Sequence, residues 1–172
     1  MPVFNETQRF NQWWMHLILG GLFVFLLVCL YRWFVMETAM GNVSASDTTG
    51  QIFVILTLVP VMIFLYSIKL RTAIDEIGVH YQFYPLHLSS KTIRWSELQK
   101  CYVRKYSPIK EFGGWGYRIS WGTKGKAFNI SGNKGIQLIV MDGKKLLLGT
   151  QKSDDAQQVI NNHFTKDKDP IN

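Results

Sequence analysis

The chain has 172 residues, of which 47% are hydrophobic, and it carries a formal net charge of +7 at pH 7. A chain of this length forms one ordinary domain or a small domain with an appendage. Its two cysteines are too few for a disulfide framework, which excludes the class of small, disulfide-stapled secreted domains. The hydrophobic residues are concentrated in two stretches near the N-terminus, so the chain divides into parts of different character.

Two long stretches, 13–31 and 48–68, contain no Asp, Glu, Lys or Arg. A helix needs about 20 apolar residues to cross a hydrocarbon core of about 30 Å. Both stretches meet that requirement. The sequence therefore predicts a membrane-spanning helical hairpin over residues 13–71, with spans near 13–35 and 50–69.

Three alternatives compete with this hairpin. A cleaved signal peptide would need a small-residue cleavage site soon after a short apolar region, and the first stretch ends in bulky residues. Two buried core helices would need more chain around them than residues 72–172 provide. One span combined with one re-entrant segment is the third alternative, which Pro60 mildly favours. Two spans are favoured over all three.

Basic residues flank the hairpin mainly on one side, and Arg32, at the outer end of the first span, is the exception that must extend toward the headgroups. Arg9 precedes the first span and Lys69 and Arg71 follow the second, whereas the loop 37–50 has no Lys or Arg. Because Lys and Arg near the ends of spans favour the cytoplasmic side, both termini are predicted to lie in the cytoplasm. Residues 1–12 are accordingly assigned to a cytoplasmic amphipathic segment ahead of the hairpin.

Beyond the hairpin, the hydrophobic period changes from helical to two. Ile77, Val79, Tyr81 and Phe83 alternate with Gly, His and Gln, which indicates a half-buried strand. Six further short strands follow, and Asp-Gly at 142–143 is the two-residue turn typical of a hairpin. The seven predicted strands lie near 77–83, 92–95, 98–106, 117–121, 126–131, 136–141 and 144–150.

The chain then returns to a helical pattern. Ser153 is placed to cap a helix whose first turn carries Asp154 and Asp155, which suit the positive end of a helix dipole. We expect a folded domain over 72–166 and a disordered tail over 167–172. One face of the predicted helix consists of Ala156, Val159, Ile160, His163 and Phe164.

About seven strands in hairpin succession, closed by one amphipathic helix, are the layout of a pleckstrin-homology-like barrel of two packed antiparallel sheets. The segments TIRWSELQKCYVRKY, GGWGYR and SGNKGIQLIVMDGKKLLLGTQK, with the final helix and the N-terminal FNETQRFNQWW, resemble small bacterial membrane proteins. In these proteins a pleckstrin-homology-like domain follows a two-helix hairpin. The resemblance covers nearly the whole chain. It implies a membrane α-helical hairpin joined to a mainly β, α+β domain, located in the bacterial cytoplasmic membrane, and it implies no particular activity.

The segment KEFGGWGYR, residues 110–118, clusters three glycines with aromatic and basic side chains. It lacks the spacing of a dinucleotide fingerprint, and a strand is predicted after it instead of a helix. Two alternatives remain: a structural turn that buries the Trp115 ring, which is slightly favoured, or an interaction surface. The candidate interaction surface consists of Tyr106, Lys110, Trp115 and Arg118, beside a strand in which Tyr117, Ile119 and Trp121 share a face.

No catalytic, cofactor-binding or metal-binding residues are predicted. The carboxylates show no spacing typical of an acid/base pair, and no nucleic-acid-binding motif is present. The cysteines, Cys29 and Cys101, are interpreted as small apolar fillers. The four histidines are scattered, without the spacing of a metal site: His16, His80, His87 and His163.

These observations predict a non-enzymatic, membrane-anchored binding or scaffold module. It would present its β domain at the cytoplasmic face to a protein partner or to its own copies. Residues 72–172 hold 15 of the 19 basic and nine of the 12 acidic residues, an excess of +6. Recognition of anionic phospholipid is therefore an alternative function. A role as an accessory subunit of a membrane transporter or enzyme is another.

Overall fold

The structure is a computed structural model that describes residues 4–120 and 123–168, with side chains described up to residue 164. The chain divides into two compact units. The first, Asn11–Ser67, is called the helical unit, and the second, which combines Met1–Phe10 with Ile68–Asn172, is called the β unit. The β unit is thus built from both sides of the helical insertion.

The helical unit contains α1, Trp13–Phe34, and α2, Thr48–Ser67. By length and composition, both helices could cross a membrane. Only 17% of the apolar window in α1 and 6% of that in α2 is buried, whereas the core helix of a soluble protein would be mostly buried. Helices that are apolar all round and remain exposed are suited to a lipid environment.

The predicted spans are confirmed as two long apolar helices, with shifted ends. The second helix begins at Thr48 because the Asp47 carboxylate accepts a hydrogen bond from Gly50 N–H at 3.0 Å. It ends at Ser67, so the predicted span to residue 69 is too long. Pro60 lies inside α2, which continues through it.

The first sheet of the β unit has four strands in the order β1-β2-β3-β4, and every neighbouring pair is antiparallel. The strands are β1, Phe4–Arg9; β2, Lys69–Ile74; β3, Gly78–Tyr84; and β4, Lys91–Arg94. Residues Trp95–Glu97 then form a single 3-10 turn.

Two predicted boundaries are corrected by this sheet. Residues 4–9, assigned above to a separate amphipathic segment, are its edge strand β1, and the β unit resumes at Ile68 instead of residue 72. The inward positions of β1 after Phe4 are polar, since Glu6 and Gln8 occupy them. Buried and exposed residues alternate along β1, but its sequence therefore lacks the alternation of apolar and polar residues by which a strand is predicted.

The second sheet has five strands in the order β5-β8-β9-β7-β6. Among the described strands, every neighbouring pair is antiparallel except β7–β9, which is parallel and departs from the predicted all-antiparallel arrangement. All seven predicted strands are present, and β1 and β2 bring the number among the described residues to nine. The strands are β5, Leu98–Lys105; β6, Gly116–Ile119; β7, Lys126–Asn129; β8, Lys134–Val140; and β9, Lys145–Gly149.

The main core lies where both sheets and the last helix, α4, Ser153–Lys168, contribute buried apolar side chains. The predicted apolar face of α4 is confirmed, since Ala156, Val159 and Ile160 are buried. His163 stacks on Trp95 with ring centroids 6.4 Å apart.

The ends of α4 differ in detail from the prediction. Ser153 is the first helical residue, and its hydroxyl pairs with Asp154 and with Lys134. The helix includes residues 167 and 168, which were assigned to the tail, and the rest of that tail lies outside the described residues. The prediction for Trp121 likewise falls outside them.

Candidate functional site

The glycine-rich segment begins as a helical turn that the sequence analysis missed. Pro108–Phe112 form the short helix α3, with Pro at its first position. Gly113 ends it in the left-handed conformation at φ 72°, and its N–H donates to Ile109 O at 2.9 Å. Gly114 and Gly116 also have positive φ, at 123° and 108°. The glycines therefore stop a helix and lead the chain into β6.

A second, smaller core lies beneath α3 and consists of Tyr106, Phe112, Ala127 and Leu147. Tyr106 is only 4% exposed, and its hydroxyl accepts a hydrogen bond from Asn129 Nδ2 at 2.9 Å. Burial raises the pKa of the Tyr106 phenol. Tyr106 therefore stabilises the fold and does not form part of an exposed surface.

Trp115 is half-buried, which is intermediate between the two alternatives considered for it. Its indole Nε1 donates to Gly132 O at 3.2 Å, and its carbonyl accepts from Arg118 Nε at 3.0 Å. The structure thus brings together Trp115 and Arg118 of the candidate surface. Lys110 is exposed on α3. Three of the four candidate residues have surface available to a partner, and Tyr106 has almost none.

A charged groove of about 270 Å³ lies on the outer face of the second sheet beside this segment. Arg104 binds Glu111 with two hydrogen bonds, of 2.9 and 3.3 Å, and its Nε donates to Gln137 at 3.0 Å. Lys124 Nζ lies 3.6 Å from the same carboxylate, and Lys145 also lines the groove. Three cations and one carboxylate line the groove, so it has a positive excess.

Glu111 is held as an anion at the centre of this groove. Burial would raise the pKa of its carboxyl group, but the hydrogen bonds from Arg104 and from Ser107 N–H, with the nearby Lys124 charge, lower it overall. Arg104 is engaged by Glu111 through both terminal nitrogens and by Gln137 through Nε. The ion pair therefore fixes α3 to β5.

A linked set of polar side chains lies on the outer face of the first sheet. His80 Nδ1 is 2.8 Å from Thr92 Oγ1, and His80 Nε2 is 2.9 Å from Asp75 Oδ1. The His80 ring thus lies between a hydroxyl and a carboxylate. Asp75 also accepts from the N–H groups of Ile77 and Gly78, so it closes the turn between β2 and β3. None of the three side chains lines the groove around Glu111.

Two further titratable side chains, Cys101 and His87, lie in packed surroundings. Burial raises the pKa of the Cys101 thiol to about 12, which fits the predicted role of a buried filler. Within residues 4–120 and 123–168, no group of three or more His, Cys, Asp or Glu side chains could hold a metal ion. His87 instead packs against Phe128, with ring centroids 5.1 Å apart.

The two edges of the second sheet differ in accessibility. On β5, the Val103 N–H donates to Gln157 Oε1 of α4 at 2.8 Å, so the helix covers that edge. On β6, no strand within the described part of the chain pairs with the outer edge. Tyr117 and Ile119 on β6 are 36% and 57% exposed. Together with Trp115 and Arg118, they form the surface called here the β6 edge.

No protein-family model matches the chain, and no curated protein matches it. The roles assigned to these side chains therefore rest on their own contacts.

Proposed function

We propose that the protein is a non-enzymatic, membrane-anchored binding module. Its β unit, a pleckstrin-homology-like domain, would be presented to a partner protein at the cytoplasmic face of a bacterial inner membrane. One observation carries this proposal: the two apolar helices are inserted between β1 and β2, which are neighbouring strands of one sheet. The two helices are thus an insertion within the chain that forms the β unit.

The strand pairing also supports the proposed topology. Residues of β1 and β2 must lie on the same side of a membrane because they hydrogen-bond to each other. One span with one re-entrant segment would place them on opposite sides, whereas two spans place them together. The absence of Lys and Arg from the loop 37–50 favours the cytoplasm for the β unit.

The assignment of a pleckstrin-homology-like domain is supported by two sheets around one core with a single C-terminal helix packed against it. Within this domain, the β6 edge is the surface best suited to a protein. No strand in the described part of the chain pairs with its outer side, and its apolar side chains are exposed. Strand addition to such an edge is a common mode of peptide recognition.

Reporter fusions test the anchorage and topology. A fusion after residue 45 and a fusion after residue 165 of the full chain should report opposite sides of the membrane. If both report the same side, the hairpin topology is wrong.

Site-specific photocrosslinking of the full chain in cells tests the binding role. A photoreactive residue at Ile119, on the β6 edge, should give one discrete protein adduct, with a partner or with a second copy. The matched control is the same probe at Lys100, which is exposed on the opposite edge strand β5. Adducts that are equal at both positions, or contain lipid only, would contradict a protein-binding β6 edge.

A further inference from the structure

Three cations share the outer face of the first sheet, at the end where the chain enters and leaves the helical unit. Arg9 of β1 lies directly opposite Lys69 of β2, and Lys69 lies opposite Tyr84 of β3. In the next row, Arg71 lies between Thr7 and Gln82. Their neighbours along the strands, Gln8, Leu70 and Thr72, are buried, so these side chains alternate to the outer face.

The cations in these two rows lie apart from every described ion pair. Among the residues that the structure describes, no carboxylate lies within ion-pair distance of Arg9, Lys69 or Arg71. Lys69 Nζ lies over the Tyr84 ring, 4.8 Å from its centroid. Like charges directly opposite each other on a sheet are destabilising. The Arg9–Lys69 pair therefore concentrates positive charge that an anion would stabilise.

Arg9 and Lys69 lie only a few residues from the ends of the apolar helices, and this short distance in the sequence indicates the source of such an anion. A single residue, Ile68, separates Lys69 from the end of α2. Three residues separate Arg9 from the first residue of α1. If the helices cross a membrane, residues this close to their ends lie at the level of the lipid headgroups.

We propose that Arg9, Lys69 and Arg71 form a binding site for the phosphate group of an anionic phospholipid. The two guanidinium groups can each bind phosphate oxygens in a bidentate manner, and the Lys69 ammonium adds a point charge. Tyr84 contributes an aromatic ring of the kind found at the headgroup layer. The site rests on the membrane anchorage proposed above, and it adds a specific lipid to that anchorage.

Native mass spectrometry of the full chain, released from nanodiscs that contain phosphatidylglycerol and phosphatidylcholine, tests the site. The wild type should retain phosphatidylglycerol in preference to phosphatidylcholine. Each cation near an anionic surface contributes about fivefold in affinity, so Arg9→Gln, Lys69→Gln and Arg71→Gln combined should lower phosphatidylglycerol retention by on the order of 100-fold.

The matched control removes the same charge elsewhere on the β unit. Lys100→Gln, Lys105→Gln and Lys152→Gln combined alter three exposed lysines outside the two rows. This control should retain the lipid as the wild type does. An equal loss in both triple variants would show that net charge alone attracts the lipid and would overturn the site. Where the first triple variant does not fold, Arg71→Gln alone should lower retention about fivefold.

Two further measurements distinguish a failure of the proposed membrane anchorage from a failure of the proposed lipid site. Extraction of membranes with alkaline carbonate reports anchorage: a chain that is released contradicts the proposed function. A chain that stays in the membrane but retains both lipids equally contradicts the phosphate site only. Displacement of phosphatidylglycerol by excess inorganic phosphate would identify a soluble anion as the ligand and would also overturn the lipid assignment.

Discussion

Thr150 donates a hydrogen bond from its hydroxyl to the Glu6 carboxyl group at 2.6 Å, across 144 residues of sequence. Gln151 N–H and Gln8 Nε2 donate to the other carboxyl oxygen, at 2.8 and 3.0 Å. Both Glu6 and Thr150 are buried. The first strand is therefore fixed to the turn between β9 and α4 by a polar network at its centre.

Glu6→Ala should lower the free energy of unfolding of the β unit by about 3 kcal/mol or more. The substitution removes the acceptor of the buried Thr150 hydroxyl, of the part-buried Gln151 N–H and of one Gln8 N–H, and each unsatisfied buried group costs about 1–3 kcal/mol. Glu6→Gln keeps one acceptor oxygen and should cost less. Thermal unfolding of the full chain in detergent measures the effect.

The control for this prediction is Asn5→Ala on the same strand. Asn5 is exposed, so its loss should change stability by no more than about 0.5 kcal/mol. If Glu6→Ala is as mild as Asn5→Ala, the network does not hold the strand in place.

The helical unit should be removable without loss of the β unit. Arg9 and Lys69 are antiparallel register partners, so a two-residue Asn-Gly turn can join them in place of residues 10–68. The shortened chain should be soluble and should give a circular dichroism spectrum dominated by strand, with helix from α4.

A fragment of residues 72–172 is the informative comparison. It lacks β1 and the first half of β2, which leaves one edge of the main core uncovered. This fragment should aggregate or unfold at a much lower temperature. Equal stability of the two proteins would mean that the N-terminal strand is dispensable.

The hydrophobic pattern of the sequence predicted the elements whose inward positions are apolar. It missed the strands in which polar inward residues or a neighbouring apolar run hide that pattern. Seven strands and the C-terminal helix followed from periodicity. Strand β1 was missed because Glu6 and Gln8 face inward, and β2 because Lys69–Ile74 follows an apolar run directly and resembles its flank. The hydrogen bonds that satisfy Glu6 come from residues 150 and 151, and no local pattern indicates them.

The candidate interaction surface around residues 106–118 also depends on contacts that local sequence patterns do not indicate. Pro108 and Gly113 were available as start and stop signals for α3, but a helix of five residues is too short for a periodic pattern. The burial of Tyr106 depends on Phe112 and Leu147, which pack against it from other elements. The half-burial of Trp115 depends on the position of Gly132. Local sequence does not determine such tertiary contacts.

Phe112→Ala and Trp115→Ala should separate the structural and surface roles of the glycine-rich segment. Phe112 is 5% exposed in the smaller core, so its truncation should cost about 3–5 kcal/mol in the free energy of unfolding. Trp115 is half-buried with one hydrogen bond, and its truncation should cost about 1–2 kcal/mol. Denaturant unfolding of the two variants measures the difference.

Crosslinking from the β6 edge provides the second readout for these variants. Trp115→Ala should reduce adduct formation from Ile119 at temperatures where the variant is folded, because aromatic residues dominate many interfaces. A Trp115→Ala protein as unstable as Phe112→Ala would instead show that the ring is a core residue.

Acidification should destabilise the β unit through His87. Burial lowers the pKa of the His87 imidazole from its ordinary value of 6.5, and the charges of Lys91 and Lys126 lower it further. Phe83 N–H also donates to His87 Nδ1 at 3.4 Å, a contact that a protonated ring would lose. The folded state thus favours the neutral ring.

The direction of the pH dependence follows from this shift. The unfolded chain binds the proton more tightly than the folded chain, so the contribution of His87 is fully present above pH 6.5. It is lost as the pH falls through 6.5 towards the folded-state pKa. Asp75 and Glu111 have pKa values lowered from 3.8 and 4.5, so both stay ionised across this window.

Thermal unfolding of the full chain at about pH 7.5 and about pH 5.5 measures the effect. The midpoint of the wild type should fall on acidification by more than that of His87→Asn, which has no group to protonate at this position. The other three histidines are present in both proteins and cancel in the comparison. An equal fall in the two proteins would show that protonation of His87 does not contribute, and a midpoint that rises only in the wild type would mean that the folded state prefers the charged ring.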